Sequence, residues 1–199
     1  MAVKEVKLST IEEVLTTLTT AEFNDALKRN RSAFLFRGLP NVSYKLTTSL
    51  RWNCKGKAGE LEPSILRNFS KYAASTSPLN SCWEQMVIGQ HHGLPTRLMD
   101  WTYSPLAALH FATSREDITG MNQHDAVVWA IDITEMNTLL PAKYQKVLND
   151  ERAYLFTIDM LDRVAKDLTT YDNDMGEDGI VLLEPPSIDQ RIINQYSYF

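Results

Sequence analysis

Gln90-His91-His92-Gly93-Leu94-Pro95-Thr96-Arg97-Leu98-Met99-Asp100-Trp101-Thr102-Tyr103-Ser104-Pro105 is the stretch on which the fold turns. Ahead of it, Ser81 and Glu84 have the spacing of a capping box, and Trp83, Met86, Val87 and Gln90 share one face of a helix that Gly93 stops. Behind it, Ser104 as N-cap and Pro105 at the first helical position open another helix over residues 105–113. Residues 96–101 between them read as a short strand or an extended turn. A helix, a bend, a strand and a helix in quick succession point to an α+β domain.

The bend is dense in polar chemistry: two imidazoles, a guanidinium, a carboxylate and an indole. Gly93 and Pro95 restrict the backbone in opposite ways, which lets a turn set a cation, a titratable ring and a stacking surface around one ligand. Two readings stand open. In the first, His91, His92, Arg97, Asp100, Trp101 and Thr102 line a ligand site. In the second, Arg97 and Asp100 pair with each other in a buried corner while one histidine finishes the helix C-terminus. Adjacent residues on a helix point about 100° apart, so at most one of His91 and His92 enters a given site.

Working outward, Ala33-Phe34-Leu35-Phe36-Arg37-Gly38 is short, aromatic and closed by Gly-Leu-Pro, the pattern of a buried strand with one charge at its end. There Arg37 offers a bidentate fork to phosphate or carboxylate, with Gly38 letting a ligand approach the backbone; its alternative is a pair with an internal acid. Residues 44–50 alternate Tyr44, Leu46, Thr48 and Leu50 against polar positions and predict a half-buried strand beside it. Residues 126–133 form the clearest apolar run and predict a central strand covered on both faces. Closing strands are expected at 179–183 and 191–199. Helices are expected from Ser9 with Glu12 as capping box, from Thr19 to about Asn30, from Pro63, and over 142–149 and 158–168. The expected architecture is one compact unit, an N-terminal helical support over residues 1–30 and an α+β domain over 31–199, with a mixed central sheet of five to six strands wrapped by helices.

At 199 residues and 44% apolar content the chain can enclose a core, and no repeat or low-complexity tract interrupts it. A net charge of −5 argues against duplex nucleic acid or an anionic membrane as the main partner, since both reward clustered cations. The one basic cluster, residues 51–57, reads as a solvated loop. Cys54 and Cys82 stand alone, so neither a disulfide framework nor a thiolate zinc site is expected, and the thiols suit a reducing cytoplasm. No leader and no apolar run of membrane-spanning length is visible. Phosphate-loop, dinucleotide-fingerprint, nucleophile-elbow and zinc-protease motifs are missing. Asp172, Asp174, Glu177 and Asp178 resemble a divalent-cation loop by charge but not by register, and read as a solvated turn; no metal is expected.

With these residues in hand the chain resembles the FRG domain family, named for the triplet Phe36-Arg37-Gly38. The resemblance continues through residues 46–51, the whole run 90–102, Ser104-Pro105-Leu106-Ala107-Ala108-Leu109-His110-Phe111-Ala112, and Arg191-Ile192 with Gln195 and Phe199. It implies a bacterial or phage protein, often of defence architecture, with a protein partner or a fused domain. A more distant resemblance is to the ADP-ribosyltransferase superfamily. That implies a nucleotide site for NAD or a similar small anionic ligand, in which Arg37 pairs with phosphates and Ser49, next to Arg51, supports a ribose. Glu184 or Gln195, with His91, then carries the chemistry. No Ser-Thr-Ser and no Glu-x-Glu is present, because Glu184 is followed by Pro185 and Pro186. The rival is a non-enzymatic sensor or interaction module.

Overall fold

The computed structural model describes residues 3–20, 23–25, 28–30, 32–73, 81–114, 123–176, 179–186 and 197–199. Its central sheet has four antiparallel strands among the described residues, in the order β5-β3-β4-β6: β3 Phe34–Leu39, β4 Trp101–Thr102, β5 Val127–Asp132 and β6 Ser197–Tyr198. The sheet is thus smaller than expected and wholly antiparallel rather than mixed. β5 pairs with β3 along its full length, Phe34 opposite Asp132 through Leu39 opposite Val127. β4 joins β3 at Phe36 opposite Thr102 and carries β6 on its other side.

Several expectations are corrected here. Among the described residues the apolar run at β5 lies at a sheet edge, not at its centre, with Ala130 exposed and most of its residues only half-buried. Residues 44–48 form no strand; Tyr44 is 54% exposed, and Thr48 instead caps α2, Ser49–Cys54, by accepting from the Arg51 N–H. The basic cluster 51–57 is exposed as expected but belongs to α2 and a 3-10 turn, Lys55–Lys57. That turn runs directly into α3, Ala58–Ala73, so the helix begins ahead of Pro63 and contains it.

At the N-terminus the capping box is one residue later than its sequence pattern suggests. The Thr10 hydroxyl accepts from Glu13 N, and Glu13 Oε2 accepts from Ser9 N and Thr10 N, opening α1, Ile11–Thr19. The helix expected up to Asn30 gives way to a two-residue ladder, β1 Phe23–Asn24 with β2 Arg29–Asn30. The helix expected over 158–168 is broken: α8, Ile158–Val164, ends at an extended Ala165, and Asp167 caps a new helix α9, Leu168–Met175. Residues 179–183 make only a bridge, Leu183 with Phe156, plus a mutual backbone pair with Phe199. Most of the strand expected over 191–199, Gln195 included, lies outside the described residues.

Helices α4, Cys82–His91, α5, Pro105–Thr113, and α7, Ala142–Glu151, fall where the sequence puts them, and a short α6, Ile133–Thr138, continues from β5. The larger core is helical: Leu66 of α3, Trp83, Met86 and Val87 of α4, Tyr144 and Leu148 of α7, and Met160 and Leu161 of α8. A smaller cluster, Leu35, Trp101, Ile133, Leu155 and Leu182, fills one face of the sheet. The other face belongs to α5. A Cβ placed on Gly38 would sit 1.8 Å from the Ala108 carbonyl oxygen and 2.7 Å from Ala112 N. Gly38, with the small buried residues Ala108 and Ala112, thus lets helix and strand backbones touch. The glycine expected to admit a ligand is occupied by a helix.

Candidate functional site

Alternation along β3 puts Gly38 and Phe36 on the α5 face and turns Arg37 and Leu35 to the opposite one. There the Arg37 guanidinium meets the bend that follows α4. Its Nη1 donates to the Asp100 carbonyl oxygen at 2.5 Å and lies 3.9 Å from Asp100 Oδ2. The arginine of the early strand and the bend of the middle sequence therefore converge. Burial pulls the Arg37 pKa below its ordinary value, and the charge of Asp100 works against that shift. The group stays cationic near neutral pH.

The bend is tied down by side chains of two helices. Gln90, in the last turn of α4, donates through Nε2 to Asp100 Oδ1 and Oδ2 at 3.4 and 3.3 Å, while its Oε1 accepts from the Thr96 hydroxyl at 2.5 Å. Thr96 is 1% exposed and its Oγ1 also accepts from Leu98 N at 3.1 Å. From α2, Ser49 Oγ accepts from Thr96 N at 3.1 Å and donates to the Thr96 carbonyl at 3.3 Å, and Leu50 N donates to the same carbonyl at 3.0 Å. The Ser49 hydroxyl expected to support a ribose is thus engaged in holding the bend. Buried Thr96 makes this a network with every link matched.

Arg97 does not pair with Asp100. Its side chain leaves the bend on the other side and forks onto Glu62 of α3 through Nε, at 2.8 Å, and Nη2, and onto Asp172 of α9 through Nη1 at 2.5 Å and Nη2 at 3.2 Å. The guanidinium lies 5.9 Å from the centre of the Tyr171 ring, and Glu62 is 2% exposed. Burial lowers the Arg97 pKa, but the hydrogen bonds it donates to Glu62 and Asp172, with their charges, outweigh it and the net shift is upward. Asp172 and Asp174 thus belong to ion pairs, the latter with Lys143, rather than to a solvated turn.

The remaining expected site residues scatter. Trp101 and Thr102 are buried in β4, the indole in the smaller core and the threonine hydroxyl accepting from Ser104 N at 3.0 Å. His91 and His92 bring their rings edge to face at 5.2 Å, against the expectation that they diverge, because His92 is the C-cap and has left helical geometry. Arg51 is exposed on α2. Glu184 is exposed beside Leu183, its backbone donating to the Phe156 carbonyl, and no hydrogen bond or ion pair among the described residues joins it to Arg37 or the bend.

Four participants escaped sequence reasoning. Gln90 and Thr96 stand inside the quoted run but read there as a helix face and a turn. Glu62 has no local signal at all. Trp129 sits directly opposite Arg37 in the β3–β5 register and therefore on the same face of the sheet. Its Nε1 is buried and has no acceptor among the described residues. Two donors, a half-buried guanidinium and an indole N–H, thus share one patch of sheet. No group of three residues suited to a metal ion occurs among the described residues. Among them, too, no helix is long and apolar enough to cross a membrane.

Fold and site together define a small α+β domain in which an arginine after a strand-borne phenylalanine is held against a hydrogen-bonded bend. Residues 32–119 match the family model of the FRG domain. The match spans β3 to α5, so it takes in Arg37, the bend and the helix against Gly38. No curated protein matches the chain, and no solved structure does.

Proposed function

We propose that the domain binds a small anionic ligand of the nucleotide class at the Arg37 face of the sheet, as a recognition module rather than through a complete catalytic set. The observation that carries this reading is the contrast in how donors are matched. Arg97 is forked onto two carboxylates, whereas Arg37 has one carbonyl and one carboxylate at 3.9 Å, and the neighbouring Trp129 N–H has no acceptor among the described residues. A buried donor without an acceptor is costly, of the order of 1–3 kcal/mol, and a phosphate or carboxylate oxygen removes that cost. In a bacterial or phage defence protein, such a module would do the sensing or contact a partner.

An NAD-dependent reaction is the second reading, and one observation favours it: Asp100 places a carboxylate beside Arg37, with Gln90 fixing its orientation. In that case Asp100, rather than Glu184, would face the ribose.

The test is calorimetry and thermal shift with NAD, ADP-ribose, ATP and inorganic phosphate on wild type, Arg37→Ala and Trp129→Phe, alongside chromatography of the nucleotides. Saturable binding lost in Arg37→Ala and weakened in Trp129→Phe, without release of nicotinamide, supports the module. Release of nicotinamide abolished by Asp100→Asn moves the domain to the enzymes. No binding to any of the four overturns both.

A further inference from the structure

Between Asp25 and Glu60 this acidic protein has no Asp or Glu at all, and eight of its twenty Lys and Arg residues. The structure spreads the second half of that span over the surface. Lys45, Arg51, Lys55 and Lys57 are all exposed, and none makes an ion pair among the described residues. Among them stand two aromatic rings turned to solvent, Trp52 at 75% and Tyr44 at 54% exposure. On α2 the buried Leu50 faces inward, so Trp52, about 200° further round, points straight out. An exposed indole has no packing reason to be there, and it is flanked by cations that meet no acid.

We infer that the surface formed by residues 44–57 is a docking track for single-stranded RNA, with Trp52 and Tyr44 as stacking platforms and Lys45, Arg51, Lys55 and Lys57 on the phosphates. Charge complementarity selects a polyanion, and the flat rings between the charges select one with unstacked bases over a duplex, whose bases are already stacked. Asn53 is an exposed residue whose Nδ2 donates to the Ser49 carbonyl at 2.9 Å, so its side-chain oxygen is the atom offered to a donor such as the 2′-hydroxyl of RNA. The net charge of −5 is carried outside this span, whose own charge is wholly positive. The track does not depend on the nucleotide reading of Arg37, which lies on the sheet.

Fluorescence anisotropy with a labelled oligouridylate of about twelve nucleotides, a length within the range of single-strand sites, tests the track on the full chain. Expected is saturable binding at about 50 mM salt whose logarithm falls with the logarithm of salt at a slope near −3, from about four phosphate contacts. Trp52→Ala should weaken it by about tenfold or more, and Trp52→Phe should retain most of the affinity. Lys55→Glu should weaken it, while Lys146→Gln, a cation outside the track, and Arg37→Ala should leave it unchanged. Trp52 is too exposed for its removal to unfold the chain. Absence of binding, equal affinity for the deoxy oligonucleotide or for a duplex, an unaffected Trp52→Ala, or loss in Arg37→Ala overturns the assignment.

Discussion

Arg37 and Arg97 stand on two sides of one bend and are treated in opposite ways. Arg97 is clamped between Glu62 and Asp172 and ties α3 and α9 to the chain between α4 and β4. Arg37 touches the same bend through one backbone carbonyl and a looser carboxylate contact. One arginine is fully matched by carboxylates; the other has one backbone carbonyl and one carboxylate at 3.9 Å. Sequence proximity suggests Asp100 as the partner of Arg97, since both lie in one run, yet it is Arg37 that meets Asp100.

The comparison breaks most easily at Arg97. Arg97→Ala leaves Glu62 buried with its charge unmatched and should cost roughly 3–5 kcal/mol, read from the urea midpoint. Arg97→Lys should recover only part, because an ammonium cannot fork onto two carboxylates. A loss below about 1 kcal/mol would place Arg97 in the same class as Arg37. Next is Gly38→Ala, which drives a methyl into the α5 backbone and should cost about 3 kcal/mol, the upper part of the range for overpacking. Thermal unfolding reads it, and an unchanged melting temperature would show that the strand and helix can part without loss.

Arg37→Ala should lower stability by about 1 kcal/mol or less, since only an exposed-side contact and one hydrogen bond go. Nucleotide binding should vanish with it. If Arg37→Ala unfolds the protein as Arg97→Ala does, the contrast between the two disappears.

The smallest effect is one of pH. Burial, together with Asp162 and Asp167, pushes the Cys82 thiol up to about 11. Its folded value exceeds its ordinary one of 9.0, so the stability it contributes is fully present below pH 9 and is lost as pH rises toward 11. Cys82→Ala should flatten that part of the alkaline unfolding curve, and iodoacetamide should label Cys82 slowly at pH 8, faster only as the pH approaches 11.

What the sequence made legible was local. Ser81, Ser104 with Pro105, and the short aromatic run around Phe36 closed by Gly-Leu-Pro each act through residues close by, and the helices and the strand they mark stand where expected. Thr48 shows the limit: in a four-residue alternation it reads as a strand position, yet its hydroxyl serves α2, a choice that depends on Ser49 meeting Thr96 far along the chain. The apolar run at β5 could not announce that it ends a sheet. Of the site, Arg37 and Asp100 were each visible as candidates; Glu62 and Trp129 were not, since one is brought by tertiary packing and the other by strand register.

Gly38 and Ala108 are seventy residues apart, but one cannot be chosen without the other. The two most recognisable signatures of the chain, the triplet at 36–38 and the small-residue helix at 105–113, are halves of one joint in which main chain rests on main chain. A chimera that exchanges the helix must therefore carry over its strand, and drift at either half is tolerated only with a compensating change in the other.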